Sequence, residues 1–499
     1  MGVTRNTKFA LVEQDARGTL KAPSSNTDFL SAQADLSIED TFETLENAEL
    51  SGTTMNSAPA LGPETVTGSF SHYIRHSGTE GAAPQALNVA LKNLWGNEAV
   101  AGSELTLGVG STTTVLKYAD TSSLQAGEAL LIKDNTNGWS LRTIESVDSG
   151  TDVTLSFALA NAPASGVTTG KAVLYYPAAS DSDYKYLSAW DYRGGDTAIQ
   201  ASEDTRVTEG TITAAVNDYL QGSFSLQGLK MYYDVIETTA SAYQLQFTDD
   251  DLTDEVISLS QQSWVTPDAL ASAIETAMNG TATTETHSVS YSDTTGKFTF
   301  ENTTGSTLEL DWNNGANSIA TLIGFDDSAD DTGATTYTSD DAITLSTTYS
   351  ATSVDPLVCR DHEVLIGDGT QTACTREVNS VTFTLTNTSE PQPSICSSTG
   401  RAAIAVTGKA ATVELDVTLD KYDADLMAKM RNNTTVSFLY NFGTKDSNGF
   451  EAGKSGCLYV KYAKVTTHTV GDRDGTVNAI ITLTAFSSSG NDSVFMNFV

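Results

Sequence analysis

The sequence predicts a mainly β protein, and three observations carry that prediction. Most segments alternate apolar and polar residues over short runs rich in Thr, Val, Tyr and Phe. Gly, Asn and Asp punctuate those runs at turn-like intervals. Helical periodicity is confined to three places, so helices are accessories to the strands. The 499 residues make a prior of about three domains at roughly 100–200 residues each.

Thr41–Asn47 and Thr65–Ile74 read as strands, the second alternating Val66, Phe70 and Ile74 with Thr67, Ser69 and Ser71. Pro84 to Trp95 reads as a helix that starts at a proline, places Leu87, Leu91 and Leu94 on one face and ends at Gly96. Leu105 to Tyr176 is a run of short strands with turns such as Asn135–Gly138 and Asp148–Gly150, the size of a small β-barrel. Tyr219–Gln227 alternates again, with Gln221, Ser223 and Ser225 on its polar side. Tyr243 to Thr338 reads as a strand, a helix capped by Thr266-Pro267-Asp268, two strands (Ser288–Tyr291 and Lys297–Glu301) and a turn leading to Leu322–Phe325. Thr382–Asn387 and Thr412–Leu419 are strands, the second pairing an apolar side with Glu414, Asp416 and Thr418. Asp420 caps a third expected helix carrying Tyr422, Leu426 and Met430, and Val477–Phe486 closes the series.

Two stretches repeat one order: strand, strand, helix, strand. Glycine-containing segments, Leu61–Glu64 and Val406–Lys409, are expected to turn the chain into the second strand of each. The predicted organisation is a first unit at 1–104 and 177–240, an inserted small β domain at 105–176, an inserted α+β domain at 241–345, and a second unit at 346–499. Two independent β domains with similar local chemistry are the alternative to a duplication.

Composition excludes several functions. With 27 Lys+Arg against 63 Asp+Glu the formal charge is −36, so the surface would repel a phosphate backbone rather than grip it. No run of about 18 apolar residues is present to span a membrane as a helix. Met1 to Lys8 has no apolar core of a signal peptide, so export by that route is not expected. Cys359, Cys374, Cys396 and Cys457 fit no zinc spacing and are expected to be free thiols in a reducing cytoplasm.

Local chemistry is thin. His72 and His76 end a strand without the Glu of a zinc-protease motif, and His287, His362 and His468 have no companion nucleophile at a recognisable spacing. Asp249–Asp251 and Asp326–Asp331 are acidic turns that lack the spacing of an EF-hand loop. Gly108-Val-Gly110 lacks the third glycine and helix of a dinucleotide site, and no Walker sequence or nucleophile elbow occurs. The expectation is a protein that is not an enzyme, with no catalytic residue, cofactor or metal.

Gly18–Pro23, the acidic stretch Asp35 to Glu49, Leu61–Ser69, Val378–Asn387, Gly400 to Leu419 and Leu483–Phe486 together resemble the major tail tube proteins of long flexible-tailed bacteriophages. Tyr243 to Thr338 resembles the outward-facing domains of flagellin-like and hook-associated filament proteins. The tail-tube resemblance implies two packed β-sheets with a flanking helix, edge strands shared between neighbours to close a β-barrel ring, and rings stacked into a hollow tube. It implies a homo-oligomer: three duplicated chains in a pseudo-sixfold ring, or six chains without duplication. Its partners would be the tape measure protein and the tail terminator and tip proteins. DNA would pass without specific binding, no membrane would be involved, and the protein would be assembled in the host cytoplasm and reside in the virion tail. Thr67, Ser69, Ser71, Gln221, Ser223, Ser225, Glu414 and Asp416 are the candidate lumen or wall-face positions, solvent outside the tube being the alternative for them. The rival readings are a surface or filament adhesin, a baseplate or capsid decoration protein, and a lytic or depolymerising enzyme.

Overall fold

A computed structural model describes residues 7–499 except 24, 48–58, 86, 101, 135–137, 195–197, 234–235, 239–240, 265, 293–294, 314–316, 342, 344–353, 368–376, 398, 419–423, 474 and 491. The fold is mainly β, as the alternation predicts, and among the described residues no sheet closes into a barrel within the chain. Two compact units form. One comprises Met1–Phe29, Leu187–Thr205 and Gly228–Ser350; the other comprises Leu30–Tyr186, Arg206–Gln227 and Ala351–Val499.

The larger unit is built on these elements: β1 (Ser37–Leu45), β2 (Ala60–Tyr73), α1 (Leu87–Trp95), β3 (Ala198–Ala215, from Arg206 onward), β4 (Gln221–Gly228, up to Gln227), β5 (Glu377–Pro393), β6 (Arg401–Thr418), α3 (Ala424–Arg431), β7 (Thr435–Asp446), β8 (Gly449–Arg473), β9 (Thr476–Ala485) and β10 (Val494–Phe498). Helix α2 (Pro267–Asn279) belongs to the smaller unit. Eight strands run side by side in the order β1-β2-β4-β3-β5-β6-β9-β8. The ladders between them are antiparallel. So is the β2–β4 pair, because Phe70 stacks on Phe224 while Ile74 N donates to Leu220 O, so one strand rises as the other falls.

This order contains a repeat. The block β1-β2-β4-β3 and the block β5-β6-β9-β8 each place two consecutive strands together, then a strand that follows a helix, then the strand that precedes it in sequence. The blocks meet where β3 pairs with β5 over seven residue pairs, from Glu209↔Thr386 to Ala215↔Ser380. One side of the sheet is apolar and buried, with Phe70, Phe224, Ile212, Phe383, Leu385, Val413, Leu415, Ile481 and Leu483. Each such side chain contributes about 1.5–3 kcal/mol when fully buried. Trp95 of α1 stacks on Phe383 at 6.0 Å.

Several boundaries differ from the sequence reading. Leu61–Glu64 and Val406–Lys409 lie inside β2 and β6 rather than in turns. Register shifts fall beside them, between Phe42 and Thr44 and between Thr388 and Ser389, so Pro63 and Gly408 mark irregularities of long strands. Helix α1 starts at Leu87, three residues after Pro84. In α3, Leu426 is buried, while Asp420 and Tyr422 lie outside the described residues. The 105–176 segment keeps an apolar cluster around Leu116, Ile132, Ile144 and Val153. It also shares a second cluster with Leu439, Tyr459 and Phe495, because Val173–Pro177 pairs with β10.

In the smaller unit, Lys8–Glu13 pairs with Leu187–Arg193, and this unit, unlike the predicted first unit, holds residues 1–29 together with 187–205 and 228–350. The α+β module forms as its signals predict. Thr266 Oγ1 accepts from Ala269 N at 3.2 Å, Pro267 opens α2, and Leu270, Ile274 and Met278 are buried against Phe247, Phe298, Phe300 and Trp312. The expected strands extend to His287–Ser292 and Lys297–Asn302, whereas Leu322 and Ile323 lie in a 3₁₀ turn, Ala320–Ile323, closed by left-handed Gly324.

Candidate assembly face

All eight candidate wall positions project from one face of the eight-stranded sheet. Residues opposite each other in an antiparallel ladder point to the same side, so the registers define continuous rows. One row runs Gln221, Thr213, Thr382, Glu414, Thr482; the next runs Ser223, Thr211, Thr384, Thr412, Thr484; a third runs Ser225, Glu209, Thr386. Ser71 Oγ lies 3.4 Å from Ser223 Oγ and puts the odd-numbered side of β2, with Thr67 and Ser69, on the same face.

Small hydroxyls dominate this face and bond across the strands. Thr211 and Thr384 are linked at 3.2 Å, Thr386 Oγ1 donates to Glu209 Oε2 at 2.9 Å, and Thr467 Oγ1 donates to Thr482 Oγ1 at 2.6 Å. Such pairs contribute about 0.2–1 kcal/mol each and leave the face polar, with Lys464, opposite Thr484, and Arg473, beside Asp416, as cations toward the β8 border. Thr67, Ser69, Ser223 and Glu414 are exposed, and Gln221 and Ser225 half-buried. Ser71 is buried, donating to Asp35 Oδ2 at 2.5 Å. Asp416 is half-buried and held by Arg473 and by Asn478 Nδ2 at 3.0 Å, so its charge is matched locally. Glu414 and Glu209 supply the acidic character of the rows.

The joint between the blocks is fixed from below. Asn387 of β5, buried, donates to Leu94 O at 2.9 Å and Val207 O at 3.2 Å, and Lys409 Nζ of β6 donates to Leu94 O at 3.2 Å and Trp95 O at 2.8 Å. The C-terminal carbonyls of α1, which a helix cannot satisfy itself, are thus taken up by side chains of the second block. Asn93 Oδ1 accepts from Val207 N at 2.7 Å. None of these contacts is visible as a local motif, because they join residues 114 to 315 positions apart.

The borders of the sheet are open. Among the described residues β1 forms a ladder with β2 on one side only. The pairing of β8 with β7 ends at Lys464, and from Val465 to Arg473 it pairs with β9 alone.

The remaining candidates stand apart from this face. His72 is buried, and desolvation followed by the nearby Arg75 charge lowers it to about 4. His362 Nδ1 lies 2.6 Å from Tyr440 Oη. Cys359, Cys396 and Cys457 are free, and Cys374 lies outside the described residues. A cleft of about 340 Å³ is lined by the acids Glu80, Glu104, Asp446 and Glu451 together with Trp139, Thr168 and Thr169.

No protein-family model matches the chain, and no curated protein does. Among solved structures it is similar to the SPP1 tail tube solved by solid-state NMR and cryo-EM, at 15% identity over 30% of this chain and 71% of that one, with a TM-score of 0.17. It is also similar to the mavirus penton protein, at 11% identity over 58% of this chain and 90% of that one, with a TM-score of 0.16. At these TM-scores neither superposition carries an argument, and the functional reading rests on the sheet itself.

Proposed function

We propose that this chain is a structural protein of a virion that polymerises through its sheet borders into rings, stacked as the tube of a phage tail. The observation that supports this reading is the repeated four-strand block with its internal antiparallel joint. In an eight-stranded antiparallel sheet the first and last strands run in opposite directions. The open half of β8 in one copy could therefore pair with β1 of the next in the same antiparallel sense as β3 with β5. Open strand edges ordinarily invite uncontrolled association, and a closed ring satisfies them. Three copies would supply six blocks, a pseudo-sixfold ring.

The hydroxyl rows then become the wall of the bore. A lining rich in Thr and Ser, with Glu209 and Glu414 on it, Arg473 matched by Asp416 and Lys464 at the β8 border, in a chain of net charge −36, favours passage of a phosphate backbone over its retention. The 105–176 segment and the α+β module would face outward, and tape measure, terminator and tip proteins would meet the tube at its interior and ends.

Negative-stain microscopy and native mass of the purified full-length chain test this. Rings or hollow filaments with a trimeric repeat are the expected result. A monomer at all concentrations, or a ring whose bore is not lined by Glu414, would overturn it.

A further inference from the structure

In the α+β module, three side chains from two places in the sequence converge. Asp249 ends the strand Gln244–Asp249, His287 begins the strand His287–Ser292, and Glu285 sits two residues before it. One ligand-type atom from each lies within 4.8 Å of the other two. His287 is 1% exposed, and neither ring nitrogen has a hydrogen-bond partner. Its Nε2 stands 3.4 Å from Asp249 Oδ2, and its ring packs edge-on against Phe247 at 5.3 Å. A buried imidazole with both nitrogens unsatisfied is costly unless something occupies a lone pair.

We infer that Asp249, Glu285 and His287 form a binding site for one divalent first-row transition metal ion of the zinc type. The donor set selects the ion: an imidazole nitrogen with two carboxylate oxygens suits zinc, whereas calcium takes six to eight oxygens. The charges fit, since two carboxylates and a neutral imidazole balance a dication, and no Lys or Arg among the described residues pairs with either acid.

The carboxylates are already oriented. Thr283 Oγ1 donates to Asp249 Oδ2 at 2.7 Å, and Asn302 Nδ2 donates to Glu285 Oε2 at 2.5 Å, the outer contacts that fix ligating carboxylates. Asn279 at the end of α2 bonds both the N–H and the C=O of His287 at 2.8 Å and holds its backbone in place. Three protein ligands leave a further coordination position, and half-buried Glu285 borders solvent. A bound ion would pin the 249 turn to the start of the 287 strand.

The test uses the full-length chain stripped with chelator and titrated with Co²⁺, followed by visible absorption, with Zn²⁺ as competitor and Ca²⁺ as control. The expected result is one saturable Co²⁺ site with ligand-field bands, displaced by Zn²⁺ and not by Ca²⁺, and a raised Tm with Zn²⁺. Glu285→Gln and His287→Gln should each weaken binding by about tenfold or more. Glu285→Gln, at a half-buried position, keeps the test valid if the His287 variant fails to fold. Absence of a saturable site, a preference for Ca²⁺, or binding unchanged in Glu285→Gln would overturn the assignment.

Discussion

Asn387 and Lys409 offer a quantitative test of how the two blocks are joined. Asn387→Leu removes donors at 2.9 and 3.2 Å from two carbonyls beneath the sheet. A net hydrogen bond is worth about 1 kcal/mol, and a buried carbonyl left without a partner costs about 1–3 kcal/mol. Leu94 O retains Lys409 in that variant, so the single change should cost about 2 kcal/mol. Lys409→Met leaves Leu94 O with Asn387 and Trp95 O with Ala178 N at 2.9 Å, and should cost about 1 kcal/mol. The double variant strips Leu94 O of both side-chain donors. Its loss should exceed the sum of the singles by about 1 kcal/mol, a coupling that urea denaturation with a double-mutant cycle resolves. Additive effects, or a single Asn387→Leu within about 0.5 kcal/mol of wild type, would refute the shared cap.

The same unit yields two more expected outcomes. Burial pushes the Glu128 carboxyl from 4.5 up to about 7. The native state therefore holds this proton more tightly than the unfolded chain, and the stability it lends is full below about 4.5 and lost as pH rises through about 7. Glu128→Gln should gain on wild type by up to about 3 kcal/mol between about pH 5 and pH 8, and a difference that does not vary with pH in chemical denaturation would contradict this. Gly210 faces α1, and an added methyl would stand 2.3 Å from Leu94 Cδ2. Gly210→Ala should lower stability by about 1–3 kcal/mol, read as a shifted urea midpoint, although alanine suits a strand better than glycine.

Much of this architecture is legible where a signal is local. The Thr266 cap, Pro267 and the four-residue apolar spacing specify α2, and the alternation at 65–74, 221–227 and 412–418 specifies which side chains share a face. What escapes is long-range or masked by charge. The strand at Ala198–Ala215 carries Glu203, Asp204, Arg206 and Glu209, so its alternation is hidden, although three of those four are buried. Pro63 and Gly408 look like turns because a bulge and a turn draw on the same residues. The Asp249–His287 approach depends on two strand ends meeting in space, which no spacing encodes.

The partnership of β3 with β5 also sets a timetable for biosynthesis. Glu209 and Thr386 are 177 residues apart, so at about 5–20 residues per second the nascent first block waits about 10–35 s for its neighbour to leave the ribosome. Throughout that interval a long threonine-bearing border is bare, with Glu209 as its charged guard against premature zipping onto another nascent copy.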